Sequence, residues 1–158
     1  MWRQFGAALE MLGNAVRAFP AELWGARGGR GPEFWYVVYH TLFFTDLTLS
    51  GSVEGFAPPA PFTLDELDPA GVMPGRVYAK EELLDYLRHC REKGRATVRG
   101  LTAERASALC VFRRFEMSFA ELLLYNMRHV QHHTGQLNLM LRQETDAAAP
   151  GWVRAASD

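Results

Sequence analysis

Ser118-Phe119-Ala120-Glu121-Leu122-Leu123-Leu124-Tyr125-Asn126-Met127-Arg128-His129-Val130-Gln131-His132-His133-Thr134-Gly135-Gln136-Leu137 is the stretch that decides the fold. Ser118 and Glu121 have the spacing of a capping box, in which the serine oxygen takes the third free amide and the glutamate reaches back to the cap. Apolar residues then recur at three and four positions as far as Leu141, which predicts one helix from Ser118 to about Thr145. At about 100° per residue, with His129 set to zero, Leu122 and Met140 project near 20°, His133 near 40° and Asn126 near 60°. His132 projects near 300°, on the side of Arg128 and Gln131. His129 and His133 therefore point inward together, one turn apart, and His132 points outward.

Two imidazoles at i and i+4 can reach one metal ion but need a third ligand from elsewhere. His40 is the histidine placed to supply it. It lies in a run that is apolar on almost every side, with Phe34, Trp35, Val37, Val38, Leu42, Phe43, Phe44, Leu47 and Leu49. That run has no period-two alternation and exceeds ordinary strand length, so it predicts a buried helix from Pro32 to about Ser50, closed by Gly51. Neutral imidazoles among such residues leave ring nitrogens in need of partners, and a divalent ion would satisfy three at once.

Two further helices complete the pattern. One runs from Trp2 to Phe19, with Phe5, Leu9, Leu12, Val16 and Phe19 on one face. The other runs from Lys80 to Arg99, with Leu83, Leu84, Leu87 and Cys90 inward and Glu81, Glu82, Asp85, Arg88, Arg91, Glu92 and Lys93 toward water. A short helical piece follows Thr102. Residues 51–79 hold four of the eight prolines between Pro58 and Pro69 and read as a long crossover. The expected fold is all-α, a four-helix bundle formed by residues 1–158 as a single domain, with the tail from about 146 frayed.

Composition narrows the function classes. Hydrophobic residues make up 48% and charged residues 22%, which excludes a disordered chain. The net charge of −1 argues against an electrostatically driven nucleic-acid binder. The longest apolar stretch, Phe34 to Phe44, is too short to span a bilayer, and Met1-Trp2-Arg3-Gln4-Phe5 lacks the charged region and apolar run expected of a signal peptide. Cys90 and Cys110 are expected as reduced core thiols in a cytoplasmic protein, and His89 as a solvated side chain.

The segment Arg128 to Leu137 resembles the H-x-x-x-H-x-G-Q signature of the DinB-like superfamily, and Phe34 to Phe44 resembles its second-helix motif. The resemblance implies a four-helix bundle whose metal is held by three histidines, here His40, His129 and His133. Many members carry Arg after the last histidine, where this chain has Thr134. Tyr36, Asn126 and Gln136 stand where they can support those ligands or orient a substrate.

The expectation is a divalent-metal protein, zinc or nickel ahead of manganese or iron, since imidazole serves several ions. One reading makes it an enzyme, either thiol transfer to an electrophile or hydrolysis of a small molecule. The other makes it a non-catalytic metal-binding or stress-response bundle stapled by the ion, and a third leaves the histidine cluster empty. Tyr36, Tyr39, Asp46 and Glu10 are the general-base candidates. The cavity is expected between the second and fourth helices, rimmed by loop 25–31 and the connection 51–79. Leu124 and Leu139 project outward, and together with Trp24 and Trp35 they point to a homodimer.

Overall fold

The second predicted helix sets the architecture, because a helix apolar on every side must be covered on every side. The computed structural model describes residues 1–25, 33–145 and 148–157. The helices are α1 (Trp2–Ala18), α2 (Phe34–Ser50), α3 (Lys80–Arg99), the short α4 (Ala103–Ser107) and α5 (Phe119–Glu144). α2 packs between α5 and α3, and α1 also packs between α5 and α3, so α1 and α2 lie diagonally across the bundle. The expected start of α2 at Pro32 lies outside the described residues. Gly51 ends α2 with φ of +79°, a left-handed conformation that a glycine adopts without steric cost.

Contacts along the helices fix their directions. Cys90 meets Leu42 and Lys93 meets Ser50, so α2 and α3 run parallel. His40 meets His133 and Asn126 meets Thr45, so α5 runs antiparallel to α2. A parallel α2–α3 pair obliges the chain to return the whole length of α2 between them, which is why 51–79 is long. The return runs back along α2: Phe56 packs on Phe43, the Tyr39 hydroxyl donates to the Thr63 carbonyl, and Tyr78 packs on Trp35.

Three features depart from the sequence expectations. Residues Leu109–Phe112 (β1) and Phe115–Ser118 (β2) form an antiparallel hairpin, pairing Leu109 with Ser118 and Phe112 with Phe115. Four residues on each side of an Arg-Arg turn carry none of the usual Asn-Gly signal, and only Cys110 of β1 is buried. The tail, expected to fray, meets α1 at Ala156. The Ala156 amide donates to the Arg3 carbonyl, and Ala156 is buried against Gly6, where a Cβ would come within 2.7 Å of its methyl. Trp24 and Trp35, offered from sequence to an interface, are both buried within this chain, whereas Leu124 and Leu139 are exposed.

The polar face of α3 is also less solvated than expected. Asp46 of α2 is fully buried and accepts from the Tyr86 hydroxyl at 3.2 Å and from the Lys93 ammonium, while His89 Nε2 lies 3.3 Å from it. Lys93 thus reaches across to α2, while His89 touches Asp46 and stays exposed to water as expected. Cys90 and Cys110 are both free and buried, as a core role requires. No helix among the described residues is long and apolar enough to cross a membrane.

Candidate metal centre

His129 and His133 stand one turn apart on α5, held in register by the capping box that starts the helix. Ser118 Oγ accepts from the Glu121 amide at 3.4 Å, and Glu121 Oε2 accepts from the Ser118 amide at 3.0 Å. The antiparallel packing of α2 on α5 brings His40 opposite them, with ring centroids 5.5 Å from His129 and 5.0 Å from His133. One ring nitrogen from each of the three lies within 4.8 Å of the others, a group that can hold a metal ion. Among the described residues no fourth His, Cys, Asp or Glu joins them. His132 is exposed and outside the group, as the helical wheel places it.

The donor set is arranged as a metal site requires. His40 Nδ1 lies 2.8 Å from Glu66 Oε2. A carboxylate only accepts, so Nδ1 carries the proton and Nε2 is left with its lone pair. His133 Nδ1 lies 2.6 Å from Gln136 Oε1, which fixes its tautomer in the same sense. Partners of this kind are what orient and strengthen metal-binding imidazoles. Burial, reinforced by the neighbouring His133, His40 and His132, pushes the His129 pKa down to about 3. His133 is lowered too, by burial first, against the hydrogen bond its Nδ1 donates to Gln136. Buried imidazoles held neutral are ready donors, since ligation needs the deprotonated ring.

Glu66 is the residue that sequence reading missed. It belongs to the single 3₁₀ turn Asp65–Leu67 inside the crossover, 26 positions from His40, and the bare sequence there reads as a capped loop turn. Its side chain is only 5% exposed, although it is ionisable, and that burial explains itself only once His40 is beside it.

The other candidates divide. Asn126 is buried beside the histidines; its Nδ2 donates to the Thr45 carbonyl at 3.0 Å, and its Oδ1 is buried without a partner. The Tyr36 ring lies tilted beside His40, with centroids 6.3 Å apart, and burial and the adjacent Glu66 carboxylate push its pKa up to about 12. Tyr39 is spent on Thr63, Asp46 on α3 and Glu10 on Arg91, so none of these three general-base candidates faces the histidines. Thr134, which takes the place of the family's Arg, is fully buried with its hydroxyl on the Val130 carbonyl.

A cavity of about 510 Å³ opens over the three rings, within the usual size of small-molecule sites. His40, His129, His133, Glu66 and Asn126 line its polar end, and Phe44 and Leu47 its apolar wall. Its rim is formed by the crossover, through Val53 and Leu67 to Gly71, and by the hairpin turn at residues 112–115. The sequence also offers loop 25–31 for this rim. Gly25 does not line the cavity, and 26–31 lie outside the described residues.

The profile of the DinB superfamily matches residues 4–137, so the chain belongs to the DinB superfamily. Its structure is similar to the crystal structure of YjoA, a DinB-like protein from Bacillus subtilis, with a TM-score of 0.64 and 15% identity over 94% of each chain. At that identity the likeness is one of fold. No curated protein matches the sequence.

Proposed function

We propose that this DinB-superfamily chain is a metal-dependent enzyme, with His40, His129 and His133 holding one divalent ion at the floor of the cavity. One observation carries the reading: three imidazoles converge where the cavity opens, and no fourth protein ligand among the described residues closes the site. Structural zinc is normally closed by four protein ligands, whereas catalytic zinc keeps a position free. Imidazole donors favour zinc or nickel here, with iron or manganese as further candidates. When bound, such an ion keeps its full charge, lowers the pKa of water or a thiol and polarises an electrophile. The reaction class is therefore thiol transfer to a small electrophile, or hydrolysis.

The chain's own residues have separate parts in that reading. Glu66 and Gln136 hold His40 and His133 in one tautomer and orientation. Asn126 lines the cavity wall with a buried, unpartnered amide oxygen, the acceptor there for a donor group that reaches it. Tyr36 stays protonated at neutral pH and acts as a donor, not as a base. Homodimerisation remains a proposal resting on exposed Leu124 and Leu139, and light scattering that returns the monomer mass would reject it.

The test is metal content after purification without a nickel column, followed by cobalt substitution. An added thiol or anion should change the cobalt spectrum. A spectrum indifferent to every added ligand would end the enzyme reading and leave a structural ion.

A further inference from the structure

The hairpin turn breaks a local rule at the edge of the cavity. A two-residue connection between strands favours Asn-Gly or a similar pair with left-handed backbone, because that twist matches the strands. Here the two positions are Arg113 and Arg114, and no non-glycine residue described has positive φ. Local rules are most often broken where a function requires it. Both arginines are exposed and line the cavity, and neither has an acidic partner among the described residues. Of the acids that also line the cavity, Glu66 pairs with His40 and Asp68 accepts from the Ala70 amide at 2.8 Å, and neither forms an ion pair with the two arginines.

The turn is also held in place. Phe112 and Phe115 stack with centroids 5.1 Å apart, and Phe115 packs on Tyr125 of α5 at the same distance. The same two phenylalanines line the cavity together with Phe44 and Leu47. One end of the chamber thus carries Arg113 and Arg114, without an acidic partner among the described residues; its walls are aromatic and aliphatic, and its floor is the histidine trio.

We propose that the cavity takes a small amphipathic anion, an apolar body bearing a carboxylate or phosphate head, and that Arg113 and Arg114 receive that head. Guanidinium donors match the planar oxygens of either group in a forked geometry, which a lone lysine would not. The proposal rests on the cavity being the substrate site of the metal-dependent enzyme proposed above. It makes the two arginines substrate-binding residues that orient the apolar body over the histidines.

The test uses calorimetry on the full chain, both zinc-loaded and metal-free, with 3-phenylpropionate and phenyl phosphate as anionic probes and 3-phenylpropionamide as the neutral control. R113Q/R114Q should weaken anion binding by about tenfold or more in both forms, the scale of lost charged hydrogen bonds. It should leave the amide within about twofold and zinc binding unchanged, while R113K/R114K should restore part of the loss. Whichever anion loses more identifies the head group. The proposal falls if neither anion binds the wild-type chain. It also falls if the anions bind the glutamine variant as tightly as the wild type, or if the amide is lost equally, which would mean that the cavity had collapsed. Failure of the metal reading looks different: zinc would not bind the histidine trio, yet arginine-dependent anion binding would persist in the metal-free chain.

Discussion

Glu66 Oε2 lies 2.8 Å from His40 Nδ1, and the two residues come from different segments, one from a crossover turn and one from a buried helix. The carboxylate fixes which His40 nitrogen is free, and in the proposed metal site the pair would orient His40 as a ligand. Removing it should therefore be felt at the metal and little in the fold. Glu66→Ala should cut zinc affinity by about 10–100-fold, with Glu66→Gln in between. Competition with a chromophoric chelator would check this, and unchanged affinity would show that the contact is incidental.

The histidines themselves separate by face. His133→Ala should abolish zinc binding and His132→Ala should not, since only the first belongs to the converging group. Metal analysis of the two purified variants decides it, and the opposite pattern would refute the helical-wheel assignment.

Acid should destabilise the metal-free fold through these rings. His129 has an ordinary pKa of 6.5 when unfolded and about 3 when folded, and His133 is also lowered. Above 6.5 His129 is neutral in both states and adds no pH dependence. As pH falls through 6.5, the unfolded chain takes up a proton that the folded chain resists, so stability declines down to about 3. Urea denaturation at several pH values should show a shallower decline in His129→Asn than in the wild type. Equal slopes would contradict the assignment.

On the opposite face of α2, Asp46 should matter to the fold and not to the metal. Asp46→Ala removes the buried acceptor shared by Lys93 and Tyr86 and should cost about 1–3 kcal/mol, the range for a buried polar group losing its partner. Denaturant midpoints measure the loss, and zinc titration should remain as in the wild type.

Gly6 tests the docked tail. A Cβ there would lie 2.7 Å from that of Ala156, too close for either to stay. Gly6→Ala should release the tail, seen as faster hydrogen exchange at the Ala156 amide, while the helical circular dichroism signal is retained. Unchanged protection at Ala156 would mean that α1 and the tail shift together.

Much of this protein is written locally. The capping box at Ser118 and Glu121, Gly51 as a helix stop and the apolar periods of α1 and α3 each act within one or two turns, so the four long helices are legible from residue order. Helix geometry alone also sorts His129 and His133 from His132, because the turn angle depends on nothing outside the helix. The hairpin was not legible, since a four-residue strand takes its pairing from a partner and not from its own composition.

What the tertiary structure decided is where segments distant in sequence come to rest. The parallel run of α2 and α3 sends the crossover back along α2, and that return brings Glu66 to His40. The same packing turns Asp46 toward α3 and away from the cavity, and it sets Arg113 and Arg114 on the rim. Side-chain chemistry and helix period made the three histidines candidates. Only the burial of α2 on every side, which fixes its neighbours and their directions, brought them together and left one side open.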